Sequence, residues 1–502
     1  MSTPVKTVAI THYHLRRGGV TRVIEHACTS LAQHNIKTVV LTGEGGGDRQ
    51  AIEATGASVA VVDGLGYDTE SGPSVSSDEL ANRFVAAAVD SLGGEPDLFH
   101  IHNHSLGKNA ALPGAVTSLA NQGRALVLQP HDFAEDGRPA NYSHLVRHAA
   151  SDDAGLLTSV MYPQGGRVRY AVLNGRDAAL LLEAGMQPDR VSVLANAVSF
   201  GDEVHGDDKR VNAKRGGVPP RYIYPTRAIR RKNIGEMLLW AAVANNEARF
   251  AATLAPENPQ QRPAYDGWVA LSDRLRLPVD YELGRTSDLP FIELLQSAEA
   301  LLTTSVAEGF GLAFLEPWLI GQRLVGRNLP DITSDFISHG VDLSSLYTRL
   351  EVPLEWVGEG SLRERIGAEL AVAYAAYGRV CGDDETDRAL RAAVGGEGGG
   401  EMVDFGRLDE AMQSVVIERV SGSAADRRLL EPEWIGGAVE PGTIERNGKI
   451  VREEFGLSGY AKRLLGLYED ATSGGGGSVE MLDAGLVLDR FLVPERFMLL
   501  RT

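Results

Sequence analysis

The segment SVAEGFGLAFLEPWLIG at 305–321 sets two carboxylates, Glu308 and Glu316, on either side of a Gly-Phe-Gly turn. It reads as a strand ending near Glu308, a tight turn, and a helix that begins directly after it. The eight positions from Glu308 to Glu316 are close to two helical turns, so Glu316 is expected on the same face as Phe310, Gly311 and Leu312. Free N–H groups in such a turn and at a helix start attract an anion such as a diphosphate. A carboxylate such as Glu316 is suited to accept the two vicinal hydroxyls of a ribose. Taken alone, a helix cap followed by an ordinary surface glutamate explains the segment equally well.

The run PTRAIRRKNI at 225–234 adds Arg227 and Lys232. Both are expected to project from a strand end and its loop into the crevice where open α/β sheets bind ligands. A planar guanidinium fork and a mobile ammonium together suit negative charge that grows on a departing diphosphate. On its own the run reads as a solvated cationic loop. Beside the Glu308–Glu316 segment the anion grip is the better account.

Elements must hold these groups in place. The runs TVAITHYH (7–14), KTVVLTG (37–43), ASVAVVDG (57–64), LFHIHNHS (98–105), ALVLQPHD (125–132), YAVLNGRD (170–177) and VSVLANAV (191–198) alternate with helical patterns. That rhythm predicts a parallel sheet wrapped by helices. Val20, Val23, Ile24, Ala27 and Leu31 follow Gly18-Gly19 at helical spacing, which gives strand, glycine turn, helix. The polar stretch GDEVHGDDKRVNAKRGGVPP (201–220) reads as a linker. A second alternation follows in RYIYPTRA (221–228), RFAATLAP (249–256), VDYELGRT (279–286), ALLTTSVAEG (300–309) and RLVGRNLP (323–330). The expected domains are 1–205, 206–455 and a C-terminal helix and tail at 456–502 that crosses back to the first domain. The acidic, glycine-laden stretch of about 355–450 is expected to be helical decoration plus mobile loops within the second domain. Two α/β halves in tandem are expected to leave a cleft between them.

Composition agrees with an α/β enzyme. A chain of 502 residues exceeds one ordinary core, and 43% hydrophobic with 23% charged residues is a globular mixture. A formal net charge of −18 repels both a phosphate backbone and anionic lipid, so nucleic acid is not an expected partner. Cys28 and Cys381 are too few and too distant for a disulfide framework or a zinc cluster. No signal core precedes the first strand, and no apolar stretch is long enough to span a membrane. A soluble, cytoplasmic protein is expected, with self-association left open.

In combination, E-G-F-G-L-A-F-L-E at 308–316 resembles the glutamate, seven residues, glutamate motif of retaining glycosyltransferases with the GT-B fold. The likeness is to the sucrose-synthase and mannosyltransferase-like group, the family 4 type. HYHLRRGGVTRVIEHA (12–27) resembles that family's N-terminal glycine loop and helix, and VSVLANAVSF (191–200) its strand that ends in an asparagine, here Asn196. YPTRAIRRKN resembles its Arg and Lys diphosphate grip. The resemblance covers roughly 7–330 and the helix near 459–471. It implies two facing Rossmann-like domains and transfer of a hexosyl group from a nucleotide-diphosphate sugar, such as UDP-glucose, to an acceptor hydroxyl with retention. The acceptor is a small molecule or a glycan, and no metal or other cofactor is implied.

Carried over residue by residue, Glu316 would bind the donor ribose, and Arg227 with Lys232 the pyrophosphate. Glu308 would meet the hydroxyls of the transferred sugar, while Phe310, Gly311 and Leu312 lend backbone amides. The Gly18-Gly19 loop would close over the diphosphate and Asn196 would join the donor contacts. His131, in QPHD at a strand end, matches the histidine that hydrogen-bonds the sugar's primary hydroxyl. The chain departs from the family at Pro317 directly after Glu316, at Arg327-Asn328 after the next strand, and throughout the region beyond 355. A glycoside phosphorylase or a nucleotide-sugar epimerase on the same fold is the alternative reading.

The histidines His12 and His14, then His100, His102 and His104, alternate along predicted strands, so each set lines one face. No carboxylate stands at ligand spacing beside them. Acceptor-side hydrogen bonding by His14, His102 and His104 is expected rather than a metal site. The acidic pairs Asp152-Asp153 and Asp383-Asp384 sit among polar loops and read as solvated charge.

Overall fold

The first set of apolar runs forms strands β1 (Thr7–His12), β2 (Lys37–Thr42), β3 (Ser58–Val61), β4 (Leu98–His102), β5 (Leu126–Gln129), β6 (Pro163–Gln164), β7 (Val168–Val172) and β8 (Val191–Val193). The structure is a computed structural model that describes residues 4–199, 219–395, 401–430 and 440–501. All of these strands but β6 join one parallel sheet in the order β3-β2-β1-β4-β5-β7-β8. β1 and β4 are buried along almost their whole length, polar residues included, because helices cover both faces. On one face Val8, Ile10, Val40 and Leu98 pack with Ile24, Ala27 and Leu31 of helix Gly19–Gln33 and with Tyr460, Leu464 and Tyr468 of helix Leu457–Ser473. On the other, Ala9, Leu41, Phe99, Ile101 and Leu128 pack with Leu80, Phe84, Val116 and Leu119, and with Val487 and Phe491 of helix Ala484–Phe491.

This first unit gathers Met1–Ala197, Ala376–Arg379 and Glu453–Val493. The chain therefore returns to it twice. Helix Leu457–Ser473 buries Tyr460, Leu464, Leu467, Tyr468 and Ala471 at helical spacing, which makes it part of the unit's core.

The second unit holds Val198–Ala375, Val380–Arg452 and Pro494–Thr502. Its strands β9 (Arg221–Arg227), β10 (Arg249–Leu254), β11 (Val279–Asp280), β12 (Ala300–Thr303) and β13 (Leu324–Gly326) form a parallel sheet in the order β11-β10-β9-β12-β13. The expected strand at 279–286 stops after two residues, because Glu282 takes a left-handed backbone (φ 52°) and Leu283–Thr286 turns helical. Helix Ile234–Ala244 is buried along its whole length, as its apolar sequence requires.

The region beyond 355 is more ordered than its composition suggests. Helices Glu359–Ala376, Asp383–Val394, Glu410–Gly422, Ala424–Leu430 and Thr443–Glu454 occupy it, with an antiparallel pair of strands at Glu351–Pro353 and Met402–Asp404. In the first of these helices only Leu362, Ile366, Leu370 and Tyr374 are buried, a stripe one residue wide that charges on either side conceal. Residues 396–400 of the glycine-rich stretch, and the expected linker apart from Pro219 and Pro220, lie outside the described residues.

Arg327 serves the fold itself. Its Nε donates to Glu236 Oε1 at 2.9 Å and its Nη2 to Glu236 Oε2 at 2.6 Å. Nη1 and Nη2 reach Asp404 at 3.0 and 2.8 Å, and Tyr347 donates its hydroxyl to Glu236 at 2.7 Å. All three charged side chains are buried. Burial alone would raise the Asp404 carboxyl, but the adjoining Arg327 guanidinium outweighs it and holds the group below its ordinary value. The departure from the family pattern at Arg327 is thus a buried ion triad that ties β13 to helix Ile234–Ala244. Among the described residues no helix is long and apolar enough to cross a membrane.

Candidate active site

In the second unit the strand order reverses between β9 and β12, with β10 and β11 on one side and β13 on the other. The carboxyl ends of strands at such a reversal frame the ligand crevice of open parallel sheets. Both sequence segments fall there. After β9, Arg230–Lys232 makes one 3-10 turn and Asn233, with a left-handed backbone at φ 52°, starts helix Ile234–Ala244. After β12, the Thr304 hydroxyl lies 3.0 Å from the carbonyls of both Lys232 and Asn233, and the Val306 N–H donates to the Arg231 carbonyl at 2.9 Å. The two loops are stitched together through their backbones.

That stitching brings the charges together. Lys232 Nζ forms an ion pair with Glu308 Oε1, and both side chains are largely buried. Arg231 Nη1 donates to the Ala307 carbonyl at 2.9 Å and reaches Glu308 Oε2 at 3.4 Å. Burial pulls the Lys232 ammonium below its ordinary pKa, Glu308 opposes that pull, Arg231 adds to it, and Glu316 opposes it again. Glu316 is thus close enough to act on the same ammonium, more weakly than Glu308.

One expectation needs correction. The segment after the glycine turn is a 3-10 turn, Leu312–Phe314, followed by a four-residue helix, Glu316–Leu319, with Pro317 in its first turn. Pro317 lacks an N–H and would clash with the carbonyl four residues earlier, so no helix can run from the glycines through Glu316. The long helix whose start was to bind an anion is absent, and Glu316 opens a separate short one. Gly311 adopts φ +89°, and a Cβ there would stand 2.9 Å from Ile332 Cγ2, so packing demands glycine. Gly309 has no neighbour within 4 Å of a Cβ position. Phe310 is buried edge-on against Phe336, and Leu312 is exposed.

Arg227 is exposed and pairs with Glu257, whereas the arginine that shares Glu308 with Lys232 is Arg231. Arg230 is engaged by Glu410 at 2.6 Å and by the Leu499 carbonyl at 3.2 Å. In a run of adjacent cations nothing in the sequence says which carboxylate each one finds, because Glu257, Glu308 and Glu410 are remote along the chain.

In the first unit the sheet reverses between β1 and β4, and a cluster of histidines gathers there. His12 ends β1 and His102 ends β4, both buried. The rings of His100 and His102 stack at 4.4 Å, as two residues on one face of a strand should. His131 follows β5, and its Nε2 lies 2.8 Å from His102 Nδ1. Its backbone N–H donates to Asn103 Oδ1 at 2.7 Å, and Asn103 is itself fixed in a left-handed conformation at φ 55°. Burial pushes His131 and His12 down to about 3 and His100 and His104 to about 4, so the rings are neutral.

The predicted acceptor-side histidines separate. His14 is partly exposed, with its Nε2 3.1 Å from the Tyr67 hydroxyl. His104 is fully buried with its Nε2 3.1 Å from the Met161 carbonyl, and His102 is fully buried behind His131, so neither ring reaches the surface. Gly18 and Gly19 open helix Gly19–Gln33 without a side-chain cap, and nothing lies within 4 Å of a Cβ on Gly19. Packing within the unit does not require glycine there. Asn196 follows β8 with its Oδ1 buried and unpartnered. Among the described residues no group of three or more His, Cys, Asp or Glu is placed to hold a metal ion.

Comparison with known proteins meets this geometry. No protein-family model matches the chain. The chain is 23% identical over 482 residues to mannosylglucosyl-3-phosphoglycerate synthase of Petrotoga mobilis, covering 93% of this chain and 92% of that one. Among solved structures, a glycosyltransferase of Rickettsia africae superposes with a TM-score of 0.54 at 11% identity, over 94% of this chain and 100% of that one. Anabaena HepE in complex with UDP gives 0.50 at 13% identity over 91% and 98%. The catalytic domain of Arabidopsis thaliana starch synthase IV, bound to ADP and acarbose, gives 0.50 at 10% identity over 94% and 100%.

Proposed function

From a chain with the GT-B glycosyltransferase fold, we propose a retaining enzyme that moves a hexosyl group from a nucleotide-diphosphate sugar, UDP-glucose foremost, to an acceptor hydroxyl. The observation that carries this reading is the contact of Lys232 with Glu308, joined by Arg231 and within the field of Glu316. In a nucleotide sugar the anomeric carbon is bonded to the diphosphate, so sugar hydroxyls and phosphate oxygens are neighbours. A site for it needs a hydroxyl-accepting carboxylate beside phosphate-binding cations, and a second carboxylate further along for the ribose. Glu308, Lys232 with Arg231, and Glu316 have those relations. Arg227, at the end of β9, would join the grip if it left Glu257.

The reaction breaks the bond from C1 to the diphosphate, whose oxygen takes the electron pair and is stabilised by the two cations. The acceptor hydroxyl forms the new bond to C1 on the same face, and its proton passes to the departing phosphate oxygen. Glu308 is committed to Lys232 and Arg231, which favours this front-face route over a covalent intermediate on that carboxylate. In the first unit, His131 would donate to a sugar hydroxyl, Gly18 and Gly19 would let backbone amides approach the diphosphate, and Asn196 would meet the donor with its unpartnered oxygen. The name of the Petrotoga relative contains a phosphoglycerate. An acceptor bearing phosphate would find Arg16 and Lys108 near the Tyr67 ring in this unit.

The test is a panel of nucleotide sugars followed by thermal unfolding, since a ligand at about 100 times its Kd adds about 2.7 kcal/mol. Phosphorylated and neutral acceptors then go into product analysis by NMR. Retention of the donor's anomeric configuration is expected. Absence of any nucleotide-sugar shift overturns the donor assignment, and an inverted product overturns the mechanism. Release of a sugar phosphate with inorganic phosphate would make the chain a phosphorylase.

A further inference from the structure

We infer that His102 fixes the tautomer of His131, so that His131 presents its Nδ1–H as a hydrogen-bond donor and cannot serve there as a base. What the donor meets rests on the proposed function, but the tautomer does not. The two rings are nearly parallel, 17° apart, with His102 Nδ1 and His131 Nε2 at 2.8 Å. Each neutral imidazole carries one N–H, so one ring must donate across this contact and the other accept. If His131 donated, His102 would hold its own proton on Nε2. That atom is buried and has no partner, and the His12 ring packed edge-on at 6.2 Å leaves its buried Nδ1 unpartnered too. A buried N–H without an acceptor is the costlier fault, and a bare lone pair the milder one. The proton therefore sits on His102 Nδ1 and is given to His131 Nε2, which leaves the His131 proton on Nδ1.

The backbone removes the remaining freedom. Asn103 Oδ1 holds the His131 N–H at 2.7 Å, and the Tyr13 hydroxyl donates to the Asn103 carbonyl at 2.6 Å. His100 backs His102 from the other side, with its Nδ1 2.7 Å from the Tyr468 hydroxyl and its Nε2 3.0 Å from Gln129 Oε1. His102 is thus a positioning residue, and it selects ligands that offer His131 an oxygen acceptor, such as a hydroxyl. It does so from within β4, without touching the ligand.

The intact chain labelled with nitrogen-15 in its histidine rings reports each tautomer by two-bond proton–nitrogen correlation near neutral pH, and His131→Gln identifies the His131 signals. The expected result is the Nδ1–H form for wild-type His131. His102→Asp offers only acceptors and should move the His131 proton to Nε2, with the KM for the nucleotide sugar rising on the order of tenfold. His102→Asn can still donate from the same place, so it should restore the Nδ1–H form and recover most of that loss. An Nε2–H or doubly protonated His131 in the wild type overturns the inference, as does an unchanged tautomer in a folded His102→Asp protein. Should the aspartate variant fail to fold, the wild-type spectrum alone decides. A correct tautomer in a chain that binds no nucleotide sugar would remove the proposed donor and leave this inference standing.

Discussion

Lys232 should matter most in the transition state, because negative charge on the bridging oxygen rises only as the sugar bond breaks. Lys232→Ala is expected to lower kcat by roughly 10²- to 10³-fold with a smaller change in donor affinity. Arg231→Ala should act in the same direction, and the double variant should lose less than the product of the two, since both serve one charge. Near-normal turnover in both single variants would return the loop to solvated charge. Gly19 allows a cleaner separation of fold from function. Its Cβ position is open and it begins a helix, so Gly19→Ala should leave thermal stability unchanged or slightly raised, yet increase the donor KM several-fold if backbone approaches diphosphate there. An unchanged KM would mean that no ligand comes near. At this scale the sequence marks Lys232 and Glu308 only when their two segments are read together, and His131 only through the family resemblance; the structure adds that Lys232 and Glu308 meet in an ion pair. The sequence does not mark Arg231 or the part played by Asn103, because each depends on contacts far along the chain.

At the scale of elements, both sheets place their charged or histidine-bearing loops at the reversal of strand order, between β1 and β4 and between β9 and β12. Strand existence is legible from apolar runs, and the parallel arrangement from their alternation with helices. The short helix at Glu316 departs from what the glutamate spacing suggests, because the missing N–H of Pro317 outweighs that spacing and decides the geometry. The helices beyond 355 are hidden in the sequence because Leu362, Ile366, Leu370 and Tyr374 form too narrow a stripe to stand out among charges. The Arg327 triad gives this scale its prediction. Arg327→Met would leave Glu236 and Asp404 as two buried carboxylates without a cation, and should cost about 3–5 kcal/mol in denaturant unfolding of the second unit. A loss under about 1 kcal/mol would show that water compensates the carboxylates.

For the whole molecule, the histidines are distributed unequally: among the described residues all but His339 lie in the first unit. Those at positions 12, 100, 104 and 131 have folded pKa values of about 3 to 4, below the ordinary value of 6.5. Between these values the unfolded chain binds more protons, so the stability they supply is complete above about pH 6.5 and falls by roughly 1.4 kcal/mol per pH unit for each ring as the pH drops. The first unit should therefore unfold on acidification before the second, at about pH 6 to 4. Among the described residues every tryptophan lies in the second unit, so far-UV circular dichroism should change at higher pH than tryptophan fluorescence. Coincident transitions would contradict this. The return of Glu453–Val493 to the first unit reaches beyond equilibrium, into the order in which a ribosome delivers the chain. Val8, Ile10, Val40 and Leu98 are laid down early, but the helix that covers them, Leu457–Ser473, emerges only after nearly all of the second unit. At about 5–20 residues per second that interval is on the order of tens of seconds, during which helix Gly19–Gln33 covers only part of that apolar sheet face and the rest stands bare. The nascent N-terminal sheet is thus a natural client for holding chaperones, and the fraction of chains that reach the folded state should depend on the pace of translation through the second unit.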